Sequence, residues 1–143
     1  GTVWEARVRD SYAADHPEYT VINTKNQYAH KDRPWQQVNF DGLLCQPGST
    51  VPEGILEIKT ASSNDDWADG AIPVGYRAQV LYYLHTTGLK FAEVRVLVND
   101  HEIIDRRIEA DEDIVPGSGV TADKYIEERV VPWFKDLQAK RVA

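Results

Sequence analysis

The stretch Val38–Thr60, read as VNFDGLLCQPGSTVPEGILEIKT, constrains the fold of this chain more than any other part of it. Two runs of alternating apolar and polar residues flank a loop, Pro47–Gly54, that is rich in Pro and Gly. In the first run Val38 and Phe40 alternate with Asn39 and Asp41, so a strand there puts Asp41 on the opposite face from Phe40. In the second, Leu56 and Ile58 point one way while Glu57 and Lys59 point the other. The spacing predicts two neighbouring strands, each with its apolar side on a core and its other side polar. That polar side carries an acid and a base from one strand and a second acid from the other. A solvated Glu/Lys pair on an ordinary exposed strand would share the E-x-K spelling, but not the preceding N-F-D-G at hairpin-like distance.

Two carboxylates beside an ammonium suit metal-assisted hydrolysis of phosphodiesters. Carboxylate oxygens are hard ligands that fit Mg²⁺ or Mn²⁺. The ion neutralises phosphate charge and makes a water more acidic; a nearby ammonium holds that water and stabilises the developing charge. Two carboxylates about 4 Å apart repel by roughly 4 kcal/mol at an effective dielectric near 20. A divalent cation removes that penalty, so a metal-free site is expected to be strained.

Four pieces of the sequence then fall in a telling order: Gly1-Thr2-x-x-Glu5, Phe40-Asp41-Gly42-Leu43, Gly54-Ile55-Leu56-Glu57-Ile58-Lys59, and Ile72-Pro73-x-x-Tyr76-x-x-Gln79-x-x-x-Tyr83-x-x-x-Thr87-Gly88. Together they resemble the PD-(D/E)xK nuclease superfamily, and more narrowly its phage lambda-exonuclease/YqaJ-type viral recombinase family. Where that family has Pro before the Asp, this chain has Phe40, a residue that shapes the turn and does no chemistry. The resemblance implies an α/β fold with a mixed sheet flanked by helices around a restriction-endonuclease-like core. It implies a Mg²⁺-dependent deoxyribonuclease, with Mn²⁺ as a substitute, that degrades one strand of duplex DNA from an end. Asp41 and Glu57 would ligate metal, with the Ile58 backbone carbonyl as a further ligand and Glu5 at a second metal position. Lys59 would position the attacking water, supported by Gln79, whose amide can donate to phosphate and accept from water without adding charge. Tyr76, one turn before Gln79, could face the same cleft. The family often works with a single-strand annealing protein and commonly assembles as a ring, so a homo-oligomer is implied. It also has a substantial segment ahead of the first helix, so the chain reads as one nuclease domain over residues 1–143 that lacks it. Two other classes share the residues: a non-catalytic nuclease-like module binding DNA or protein, and an endonuclease of the same superfamily.

Composition bears on partners and compartment. A length of 143 residues fits one domain. A net charge of −7 argues against tight non-specific DNA binding driven by counterion release, so contact with DNA must be local, metal-aided or shared between subunits. No apolar run reaches the length of a membrane span. The single Cys45 cannot form an internal disulfide, which fits a reducing cytoplasm, that of a bacterial host if the chain is phage-derived. It also argues against iron–sulfur relatives, which need four cysteines. The four histidines show no zinc-like spacing.

Along the chain, Gly1–His16 reads as a helix with Val3, Trp4, Val8 and Tyr12 on its apolar side, stopped at Pro17. Tyr19–Asn23 and, more weakly, Gln27–His30 read as strands, and Trp35–Cys45 and Gly54–Thr60 complete an antiparallel meander. Ala61–Gly70 reads as loop, with Asp65 and Asp66 solvated. Pro73–Thr87 is a helix ending at Gly88, with His85 as a packing or surface residue. Lys90–Val98 and His101–Ile108 form a hairpin around Asn99-Asp100. Arg95, Arg106 and Arg107 are candidates for phosphate contact. Thr121 caps a last helix with Ile126, Val130, Trp133, Phe134 and Leu137 as its core stripe and a kink at Pro132. The expected order is α-β-β-β-α-β-β-α.

Overall fold

The computed structural model of the protein describes residues 3–24 and 26–142. A five-stranded mixed sheet is built from β1 (Thr20–Asn23), β4 (Gly42–Cys45), β5 (Pro52–Ala61), β6 (Phe91–Val98) and β7 (Glu102–Glu109), side by side in that order. Helix α1 (Val3–Asp15) lies on one face and α2 (Val74–Thr87) on the other. The pairs β1–β4, β4–β5 and β6–β7 are antiparallel, while β5 and β6 are parallel. Parallel strands need a crossover, and here it is the turn Asp65–Gly70 followed by α2. The position of β5 at the centre of the sheet is what buries the E-x-K motif.

Burial on both sides accounts for the composition of the central strands. Leu56 and Ile58 pack under Val8 and Tyr12 of α1, whereas Ile55 packs with Val80, Leu81 and Leu84 of α2. The alternation predicted for β5 therefore holds, but its polar face is not wet, and Glu57 is only 7% exposed. In β6, Ala92, Val94, Val96 and Val98 face α2 while Phe91, Glu93, Arg95 and Leu97 face the α1 side. Between β6 and β7 the turn residues Asn99 and Asp100 adopt φ of 51° and 63°, the left-handed pair that a tight hairpin requires.

Several expectations change. Trp35–Cys45 is not one strand: Gln37–Val38 (β3) pairs with Tyr28–Ala29 (β2) in a separate two-stranded sheet, and only Gly42–Cys45 joins the main one. Asn39 and Phe40 pair in neither sheet, and Phe40 stacks on Tyr28, 4.7 Å between ring centres, in the same core cluster as Val38. Five strands therefore precede α2 rather than three. Trp4 and Trp133 are 40% and 61% exposed, so neither belongs to its helix's buried stripe. The expected helix start at Gly1–Thr2 and the Val3 side chain lie outside the described residues.

The last helix begins as predicted, at α3 (Ala122–Tyr125), with Thr121 Oγ1 accepting from Lys124 N. It then widens into a π segment, Ile126–Val130, in which Val131 N bonds Ile126 O, before α4 (Val131–Val142). Pro132 has no N–H to give the carbonyl four residues back, so the backbone adjusts just ahead of it. Leu137, expected in the core stripe, is 37% exposed, and Ile126 and Val131 do the packing.

Arg95, expected at the surface, is 1% exposed. Its guanidinium holds Asp105 through two 2.8 Å bonds, Ser11 at 3.0 Å and Asp15 at 2.9 Å. Burial alone would raise the Asp105 carboxyl, but the bonded guanidinium holds it below the usual carboxylate range. A charge-assisted fork of this kind fixes α1 on the sheet.

Two glycines test this packing in opposite directions. A Cβ on Gly54 would lie 2.5 Å from the Phe91 ring, which is itself covered by Arg107 at 3.8 Å. Gly54→Ala is expected to cost about 1–3 kcal/mol by overpacking. A Cβ on Gly75, in the first turn of α2, meets nothing within 4 Å, so Gly75→Ala should stabilise by roughly 0.5–1 kcal/mol. Chemical denaturation of both variants checks the pair; equal midpoints would show the Phe91 contact to be slack.

Candidate active site

The β4–β5 ladder runs down to Gly42↔Leu56 and stops one residue short of Asp41 and Glu57. Beyond it, side chains replace backbone pairing. Asp41 Oδ2 accepts from Ile58 N at 2.8 Å, and Glu57 Oε1 accepts from Asp41 N at 3.3 Å. Each acid thus takes a backbone N–H of the other strand's motif. Along a strand the N–H and C=O of one residue point to the same side. The Ile58 carbonyl therefore points toward the same opening as its N–H, where β4 has ended.

Helix α1 adds the third acid. Glu5 lies in its first turn, half-buried, and its carboxyl hydrogen-bonds that of Asp41. From the opposite face of the sheet, Tyr76 Oη donates to Glu57 Oε2 at 3.4 Å. Lys59 shares the Glu57 side of β5, and its Nζ lies 4.7 Å from the centre of the Tyr76 ring. Gln79 is more remote: its amide donates to Tyr83 Oη, and it lines an open groove of about 550 Å³ with Lys59, Ser62, Ser63, Asp66 and Tyr76. The structure thus brings Glu5, Asp41, Glu57 and the Ile58 backbone together, with Lys59 and Gln79 in the adjoining groove.

Burial dominates the electrostatics. It pushes the Asp41 carboxyl up to about 6; the Ile58 N–H opposes this, Glu5 adds to it and Arg9 pulls it back. Glu57 is pushed up to about 8, first by burial and then by the Asp41 charge, against the bonds from Asp41 N–H and Tyr76. The strain expected of repelling carboxylates is therefore relieved by protons in the metal-free protein. Hard oxygens from three acids and a carbonyl, converging on one gap, are the donor chemistry that fits Mg²⁺ or Mn²⁺.

The arginines proposed for phosphate contact are engaged elsewhere. Arg95 is enclosed as described; Arg106 donates to the carbonyls of Trp67 and Ala71; Arg107 pairs with Glu93 and Glu109. Asp65 is exposed, and Asp66 lies at the groove without reaching the carboxylates. His85 packs as expected, its side chain 8% exposed and stacked on His30. Its Nε2 lies 3.3 Å from Glu127 and 3.5 Å from Asp123, a grouping of metal-ligand type. Gln36 Nε2 donates to His85 Nδ1, with the amide fixed in that sense by Arg33 Nε on its oxygen. The neutral ring then keeps its proton on Nε2, facing the carboxylates, and offers no lone pair there to an ion. Arg33 also occupies Glu127 at 2.8 Å. Sequence reading passed over Arg9, though its place four residues after Glu5 on a helix was the available signal.

Residues 1–90 match the family model described as YqaJ-like viral recombinase domain. No curated protein sequence matches the chain. Among solved structures, the fold is similar to an alkaline exonuclease, LHK-Exo, from Laribacter hongkongensis. The TM-score is 0.72 at 18% identity over 95% of this chain, which spans 66% of that one. A second structure of LHK-Exo, in complex with dAMP, matches at a TM-score of 0.65 and 18% identity, covering 100% of this chain and 73% of the other. The likeness in structure establishes the fold, and the matched domain, with Asp41, Glu57 and Lys59 inside it, establishes the family: this chain belongs to the YqaJ-like viral recombinase domain family.

Proposed function

We propose that the protein is a Mg²⁺-dependent deoxyribonuclease of the phage recombination type, acting on duplex DNA from an end. The observation that carries this reading is the carboxylate cluster sealing the β4–β5 gap, with Lys59 on the same strand face as Glu57. A binding module has no use for three acids gathered at one gap, one of them, Glu57, buried with its carboxyl pushed up by that burial. Family membership and the likeness to an alkaline exonuclease fold support the same class.

In this reading Asp41, Glu57 and the Ile58 carbonyl would hold the metal, with Glu5 at a second metal position, and Mn²⁺ would substitute for Mg²⁺. When bound, the metal would supply neutralisation of phosphate charge and a more acidic water. Lys59 would position the attacking water and stabilise the charge that develops. Tyr76 orients Glu57 from behind and, under the Lys59 ammonium, keeps that side chain near the groove. Gln79 contacts the substrate from the groove wall after exchanging its bond to Tyr83. No helix among the described residues is long and apolar enough to cross a membrane, and the buried free thiol of Cys45 suits a reducing compartment such as the cytoplasm. A single-strand annealing partner and a homo-oligomer rest on the family resemblance alone.

Two substitutions separate metal binding from chemistry. Asp41→Ala should lower Mn²⁺ affinity and nuclease activity together. Lys59→Ala leaves the acids in place, so Mn²⁺ should still bind in calorimetry while turnover on linear duplex falls roughly 10²–10³-fold. Wild-type cleavage by Lys59→Ala would sink the assignment, and cutting of covalently closed circles would reassign the protein as an endonuclease.

The raised carboxyls make a pH prediction. Both bind protons more tightly folded than unfolded, where they titrate near 4. The cluster's contribution to stability is thus complete at acid pH and lost as pH rises through about 6 and then about 8. In chelator, this loss should amount to on the order of a few kcal/mol between about pH 5 and 9. Glu57→Gln should flatten most of it, and Mn²⁺ should restore stability at the alkaline end. A metal-free melting temperature with the same pH profile in wild type and Glu57→Gln would contradict this account.

A further inference from the structure

The acidic balance of the chain leaves open which cations meet a phosphate. Several arginines are already consumed: Arg33 by Glu127, Arg77 by Glu112, Arg95 by Asp105, and Arg107 by Glu93. Arg9 differs. It sits one helical turn after Glu5 on the half-buried side of α1, between the buried Val8 and Tyr12. Its positive charge acts on Asp41. Its Nε is buried and has no hydrogen-bond partner, as is also true of Arg77 Nε, but the Arg77 guanidinium is anchored to Glu112 away from the carboxylate cluster.

A buried guanidinium N–H without an acceptor is costly, and native structures satisfy such groups unless a role requires otherwise. The same guanidinium is the side chain best shaped for bidentate contact with phosphate. We infer that Arg9 is a substrate-phosphate contact of this site, its orphan donor completed by a non-bridging oxygen of the DNA backbone. The inference rests on the nuclease reading and adds to it a substrate-binding side chain from the α1 face of the sheet. Lys59 approaches from the α2 face, so a phosphate at the cluster is held from both sides. The alternative role, a counter-charge that merely steadies Asp41, predicts no direct effect on DNA.

The two are separated by salt dependence. Binding of a short linear duplex would be followed by fluorescence anisotropy in Ca²⁺, between about 50 and 200 mM salt. Loss of one phosphate contact should make the slope of log K against log salt shallower by about 0.9. Arg9→Ala should show that change with a roughly tenfold weaker affinity at low salt. Arg9→Lys, which keeps the charge, should retain the slope and recover part of the affinity. The Arg9→Ala melting temperature should not fall, since the variant deletes an unsatisfied donor; should it fail to fold, Arg9→Gln carries the same test. An unchanged slope in a folded Arg9→Ala, whatever its affinity, overturns the phosphate contact and leaves the nuclease reading standing. Absence of duplex binding by the wild-type protein overturns both.

Discussion

The structure depends on one substitution of partners: at the end of the β4–β5 ladder, a carboxylate takes the backbone N–H that a strand would otherwise pair. The 2.8 Å bond from Ile58 N to Asp41 Oδ2 lets β4 stop without leaving a buried donor unsatisfied. Because β4 stops, the Ile58 carbonyl and the Glu57 side chain open onto a gap rather than a neighbouring strand. The acid is therefore part of the sheet's own hydrogen-bond scheme. Any change at Asp41 disturbs folding and chemistry at the same place.

That arrangement explains why a charged motif can sit on the central strand of a sheet. Isolated ionised carboxylates do not survive such burial; their pKa values move until the groups are neutral. Glu57, raised to about 8, has done so. Tyr76 and Asp41 N–H give its oxygens donors, and the Tyr76 ring gives Lys59 a surface to lie on without pairing to the acids. Acid and base of the E-x-K motif are thus kept close but apart, two residues along one strand and divided by an aromatic ring.

Much of this was legible from residue order. The alternation of Leu56, Glu57, Ile58 and Lys59 correctly assigned faces because a period of two survives whatever covers the sheet. Helix α2 and its Gly88 stop, and the hairpin at Asn99-Asp100, were legible because their turn residues have few other uses. The break at Asn39 and Phe40 was not, since the alternation runs through it and only the tertiary structure shows the contact with Tyr28. The arginines of β6 and β7 misled for a similar reason: alternation indicates a face, but only the tertiary structure reveals that Asp15, Ser11 and Asp105 converge on Arg95. Arg9 escaped notice because its significance lies in a missing partner, which no sequence displays.

The clasp formed by Arg95 has a thermal meaning. Helix α1 is joined to the sheet by a small apolar patch around Val8 and Tyr12, by the Arg95 fork and by the contact of Glu5 with Asp41, whereas the β5–β6–β7 region is held by continuous ladders and two-sided burial. Segments with fewer buried contacts open at lower free energy than the body they rest on. The acid delivered by α1 thus belongs to a different cooperative unit from the two acids delivered by the sheet. Amide protection would divide the site along that seam, with the sheet carboxylates persisting through fluctuations in which the third is transiently withdrawn.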